Sequence, residues 1–99
     1  MSQETVRVIA RLRAKPGKEA ELRTLAAGLI APTRKEAGCI LYELLVNEAD
    51  PAELTFVEEW RDGEALNAHL ATPHVQHAVS RCPELLLGEL DLRRHKLVG

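Results

Sequence analysis

The sequence predicts an α+β fold of β-α-β-β-α-β order, a single domain spanning residues 1–99. Three observations predict it. Apolar residues alternate with a period of two from Thr5 and again from Leu54. They recur at three and four residues after the Lys15–Lys18 turn and after Asp62. Gly, Pro and capping residues fall at the borders between these stretches.

Each element follows in order. From Thr5 to Ala14, Val6, Val8, Ala10 and Leu12 oppose Arg7, Ile9, Arg11 and Arg13, the alternation of a half-buried strand. Lys15-Pro16-Gly17-Lys18 is a turn. Leu22, Leu25, Ala26, Leu29 and Thr33 then share one helix face. Pro32 lies inside that pattern and predicts a kink or restart there, and Gly38 supplies the stop. Cys39 to Asn47 reads as a strand, Glu48 to Ala52 as a loop and Leu54 to Arg61 as a third strand. Asp62 caps a short helix through Leu70, with Glu64 in its first turn. Thr72-Pro73 is a cap followed by a first-position proline, opening another helix to about Cys82. Within Leu85 to Leu97, the last strand is best over Glu89 to Leu97.

This order, with its second helix broken in two, is that of a ferredoxin-like sandwich. Helices cover one face of a four-stranded antiparallel sheet. Strand two carries Leu41 and Leu45 on one side and Ile40, Tyr42, Leu44 and Val46 on the other. A bare sheet face of this kind would expose a large apolar patch. Packing two sheets face to face removes it, so a homodimer is expected.

Composition excludes several function classes. Hydrophobic residues make up 45% and charged residues 28%, as in ordinary globular proteins. The net charge of −2 provides no footprint for nucleic acid. No apolar run approaches the roughly 18 residues that span a bilayer. The start, Met-Ser-Gln-Glu-Thr, shows no basic-then-apolar leader. Two widely separated Cys fit a reducing cytoplasm and form neither a disulfide framework nor a zinc motif.

The few aromatic residues are clustered. Tyr42, Phe56 and Trp60 are the only ones of their kinds, and His69 and His74 follow closely. Leu54, Phe56, Glu58 and Trp60 alternate onto one face of the third strand. Glu58 among apolar neighbours would have a raised pKa suited to proton transfer. The alternative is a structural acid, satisfied by an arginine or a helix N-terminus. His69 shares the inward helix face of Ala65 and Leu66, as a core residue or a proton-transfer group. His74 lies at a helix start, whose positive end favours the neutral imidazole, or is simply a surface residue. Cys39 and Cys82 read as small buried hydrophobes. No metal site is expected from His69, His74 and His77. Their spacing crosses the helix break, and His74 and His77 are expected to point partly away from His69. No Gly-rich strand-to-helix turn marks a flavin or nicotinamide, and no Cys pair marks haem attachment, so no cofactor is expected.

Several segments together carry a family likeness. They are Val6-Arg7-Val8-Ile9-Ala10, the turn at Lys15 to Gly17, Pro32 to Cys39, Tyr42, Glu58-x-Trp60, Glu64-Ala65-Leu66, Ala68-His69-Leu70 and Thr72-Pro73-His74. In this order the chain resembles the antibiotic biosynthesis monooxygenases, which are dimeric α/β-barrel proteins that include small quinol monooxygenases. The resemblance implies a dimer built by sheet-on-sheet packing and a pocket between sheet and helices. It implies oxidation of an electron-rich phenol, quinol or polyketide-like aromatic by O₂, without metal or flavin. A haem-degrading relative carries an Asn on strand one and a Trp at the position of His69, and this chain has neither. On this reading His69 is base or shuttle, with Glu58 orienting it or substituting for it. Trp60, Tyr42 and Phe56 wall the substrate, with His74 beside it; the other reading of Trp60 is core filler. The face occupied by Tyr42 stays open at this level. The alternatives are a cofactor-free isomerase of a small carbonyl compound and a non-catalytic ligand-binding dimer.

Overall fold

The structure, a computed structural model, describes residues 4–99. The segment read for a leader begins in residues 1–3, outside the described residues. The elements are β1 (Val6–Arg13), α1 (Glu19–Ala27), α2 (Ile30–Arg34), β2 (Cys39–Asn47), β3 (Asp50–Trp60), α3 (Gly63–Leu70), α4 (Pro73–Leu85) and β4 (Asp91–His95). The strands form one sheet in the order β2-β3-β1-β4, every neighbouring pair antiparallel. Each helical connection therefore crosses over an intervening strand, which is the ferredoxin-like arrangement.

Alternation places the core as expected. Val8, Ala10 and Leu12 on β1 and Leu54, Phe56, Glu58 and Trp60 on β3 are buried under the helices. Leu22, Ala26 and Thr33 are buried from the helical side. Arg7, Arg11 and Arg13 stay exposed on the other sheet face. Tyr42 pairs with Glu58 across β2 and β3 and faces the helices, which settles its side of the sheet.

Four boundaries differ from the sequence reading, each for a local reason. The first helix breaks at Gly28 and Leu29, not at Pro32. Pro32 is the third residue of α2, in the first turn, where a backbone N–H has no intrahelical partner to lose. α4 continues past Cys82 to Leu85, with Pro83 inside it. Its end is tied to the end of β1: Lys15 N–H donates to the Leu85 carbonyl (2.9 Å) and Leu87 N–H to the Arg13 carbonyl (2.7 Å). β3 starts at Asp50, because the Asn47 and Asp50 side chains accept the Ala49 and Ala52 N–H groups and close a tight turn. β4 is limited to the five residues that pair with Arg7 to Arg11.

Two contacts fix the chain entering β2. A Cβ on Gly38 would lie 2.2 Å from the Ala65 Cβ, so only glycine lets this segment pass so close to α3. The Arg34 guanidinium donates twice to the Tyr42 carbonyl, at 2.9 and 3.2 Å. Together they bring the loop between α2 and β2, with Glu36, against α3.

Candidate active site

The cap residues identified in the sequence set the helical wall. The Asp62 carboxylate accepts the Ala65 N–H at 2.8 Å and starts α3. The Thr72 hydroxyl accepts the Val75 N–H at 3.4 Å and starts α4 after one turn of chain. This places His69 in the last turn of α3 and His74 in the first turn of α4.

Between this wall and the sheet lies a cavity of about 80 Å³. Its polar lining comes from Tyr42, Glu58 and His69, and the rest is mostly apolar, including Phe56, Leu70 and Leu92. Val79 and Leu90, both exposed, stand at its rim. A larger depression of about 290 Å³ sits on the opposite sheet face over Ile9, Arg11 and Arg93. It contains no buried acid or base, whereas the smaller cavity is lined by the buried Glu58 and His69.

His69 is 3% exposed and its ring is fixed on three sides. Trp60 lies 4.5 Å from it between ring centroids, and Tyr42 lies 5.6 Å away. Its Nδ1–H donates to Glu36 Oε2 at 2.9 Å. A carboxylate accepting at Nδ1 sets the tautomer and leaves Nε2 as the free base of the ring. No partner occupies Nε2 among the described residues. Burial lowers the His69 pKa below 6.5, against the opposing pull of Glu36, so the neutral ring prevails at pH 7.

Glu58 is 4% exposed and accepts from Trp60 Nε1 at 2.8 Å. Desolvation raises its pKa to about 7, the Trp60 bond pulling the other way and the Glu36 charge adding to the rise. Burial, with the nearby Glu58, also pushes the Tyr42 phenol well above its ordinary value, so it remains an O–H donor. The cavity thus joins a free imidazole base, a carboxyl group poised near neutrality and a phenol.

The raised Glu58 pKa has a measurable consequence. The unfolded chain ionises near 4.5, before the folded one. Stabilisation from the neutral carboxyl is therefore full below pH 4.5 and is lost as pH rises through about 7. The shift corresponds to roughly 3 kcal/mol. Glu58→Gln should remove this slope, so the variant gains stability relative to the parent between pH 5 and pH 8. Urea unfolding at the two pH values checks it; a constant difference would contradict the assignment.

The structure brings His69, Glu58, Tyr42 and Phe56 together on the cavity. Three expectations need correction. Trp60 does not line the cavity: it is 0% exposed and stands behind, bonded to Glu58 and packed beside His69. The carboxylate that orients His69 is Glu36, not Glu58, whose bond goes to Trp60. His74 does not diverge from His69 and does not line the cavity: its Nε2–H donates to the same Glu36 oxygen at 2.8 Å. His77 is exposed on the surface of α4. Cys39 and Cys82 are half-buried free thiols with pKa values raised by desolvation. No described helix is long and apolar enough to cross a membrane.

A family model described as antibiotic biosynthesis monooxygenase matches residues 5–81. The chain belongs to the antibiotic biosynthesis monooxygenase family. Within it, Rv0793 of Mycobacterium tuberculosis, whose name marks it provisionally as a monooxygenase, is 40% identical over 81 residues, 82% of this chain and 79% of that protein. The solved structure of Rv0793 superposes with a TM-score of 0.90, at 32% identity over 96% of each chain. The crystal structure of PA3566 from Pseudomonas aeruginosa gives 0.94, at 28% identity over 100% of this chain and 99% of that one. An uncharacterised Synechocystis protein, sll1783, is 30% identical over 97% of this chain, which spans only 65% of the length of that relative. Membership in the antibiotic biosynthesis monooxygenase family, with relatives named as monooxygenases, supports a monooxygenase-like function.

Proposed function

We propose that this chain is a cofactor-independent monooxygenase acting on a small electron-rich phenol or quinol. The observation that carries the reading is the His69–Glu36 pair. A carboxylate holds Nδ1–H, so Nε2 is a base on a ring lining a mostly apolar cavity. Nε2 removes the phenolic proton. The phenolate gives one electron to O₂, and the two radicals combine to form a carbon–oxygen bond. The peroxide then loses the hydrogen on that carbon and its O–O bond breaks, leaving a quinone and one water. Phenol plus O₂ thus balances as quinone plus water, with the proton on His69 returned to the leaving oxygen. Neutral Glu58 and the Tyr42 hydroxyl act as donors to the developing oxyanion. Phe56 is the aromatic wall.

The closed cavity is smaller than the ~150 Å³ that holds a benzene ring in an engineered apolar site. Aromatic substrates therefore require the rim at Val79 and Leu90 to widen. That small volume favours a second reading, an isomerase moving a proton on a small carbonyl compound between His69 and Glu58. An oxygen-electrode screen of quinols and phenols separates the two. Substrate-dependent O₂ uptake supports oxygenation; solvent deuterium exchange without uptake supports isomerisation; neither would leave a ligand-binding protein.

We also propose that the protein works as a homodimer, in the cytoplasm, with the outer sheet face covered by a second copy. Leu41 and Leu45 project there alongside the exposed Arg7, Arg11 and Arg13, Leu45 half exposed, leaving apolar side chains that a monomer would keep wet. Sedimentation at micromolar concentration tests this.

A further inference from the structure

We propose that Glu36, His69 and His74 form a binding site for a divalent transition-metal ion of the zinc class. The three side chains come from the loop before β2, from α3 and from α4, and they converge on one point. Glu36 Oε2 lies 2.9 Å from His69 Nδ1 and 2.8 Å from His74 Nε2, and the donor atoms all lie within 4.8 Å of one another. Two imidazole nitrogens and one carboxylate oxygen form a donor set that zinc takes with a further position left for water. A tetrahedral ion with bonds of about 2.0–2.1 Å holds its ligand atoms roughly 3.3 Å apart. To meet that value the two N···O distances open by about half an ångström, while the two imidazole nitrogens, within 4.8 Å of each other, draw together around the ion.

In the metal-free state, two N–H groups occupy the space between the nitrogens and the shared oxygen. An ion replaces those hydrogens at the lone pairs. The His69 proton moves from Nδ1 to Nε2 and the His74 proton from Nε2 to Nδ1, so neutral rings release none. The carboxylate supplies one compensating charge. Access is from the surface: the His74 side chain is 25% exposed, and Glu36 lines a surface cleft of about 310 Å³ beside Arg61 and Glu64. A bound ion leaves Nε2 of His69 protonated and unable to accept a proton. Metal binding and base catalysis are therefore alternative states of one cluster, and binding is measurable without any assay of turnover.

The test is calorimetric titration of the metal-stripped protein with Zn²⁺, repeated with Co²⁺ while recording its visible absorption. One ion per chain is expected, with intense low-symmetry cobalt bands. Glu36→Gln and His74→Ala should each weaken Zn²⁺ binding beyond the about 10–100-fold typical of outer-shell changes. His77→Ala, a surface histidine on the same helix, should bind as the parent does. In ¹⁵N spectra, Zn²⁺ should move the His69 proton to Nε2. No binding to the folded parent at millimolar Zn²⁺, or equal affinity in the Glu36 and His74 variants, would overturn the proposal; so would loss of binding in His77→Ala.

Discussion

His69→Ala is expected to lower turnover of the phenolic or quinolic substrate by about 10²–10⁴-fold, the span of a positioned general base. The effect should fall on kcat more than on KM, because the imidazole acts on the proton and contributes little to holding the ring. Glu36→Gln should give a smaller loss of the same kind. The amide keeps the contact with Nδ1 but can donate as well as accept, so the tautomer is no longer fixed. Oxygen consumption against substrate concentration measures both, with circular dichroism confirming the fold. Full turnover in a folded His69→Ala protein would move the base to Glu58.

Trp60→Ala is expected to destabilise the protein by about 3–5 kcal/mol, the range for removing a large buried aromatic side chain. Trp60 is wholly buried, packs beside His69 and donates its N–H to Glu58. The substitution leaves a cavity, removes the hydrogen bond that restrains the Glu58 pKa and frees one side of the His69 ring. Trp60→Phe separates these effects: it keeps much of the packing, so the loss should be smaller, while the Glu58 pKa rises further. Urea unfolding of both variants decides. A Trp60→Ala protein as stable as the parent, with only weakened ligand binding, would restore this side chain to the cavity wall.

Much of this fold was legible because its signals are local. Alternation along β1 and β3 depends on neighbouring residues, and so do the caps at Asp62 and Thr72. The burial of Glu58 and His69 was legible for the same reason. Depth within a face is not local: alternation put Trp60 on the correct side of β3, but only the packing against His69 shows that it lies behind the cavity. Glu36 was invisible as a partner. It is separated from His69 by 33 positions and from His74 by 38, and a carboxylate in a loop two residues before a glycine looks like any surface charge. Gly38 was the available signal, read as a helix stop when its closer role is the contact with Ala65. The break at Gly28 was hidden by Pro32, whose position in a first turn made it harmless.

Glu36 fixes His69 with its proton on Nδ1 and its lone pair on Nε2. Two-bond ¹H–¹⁵N correlation of the imidazoles in the metal-free protein at neutral pH tests it directly, with His69→Gln assigning the signal. The expected result is a neutral His69 ring protonated at Nδ1, which loses that fixed tautomer in Glu36→Gln. A ring protonated at Nε2, or a charged ring at neutral pH, would contradict it.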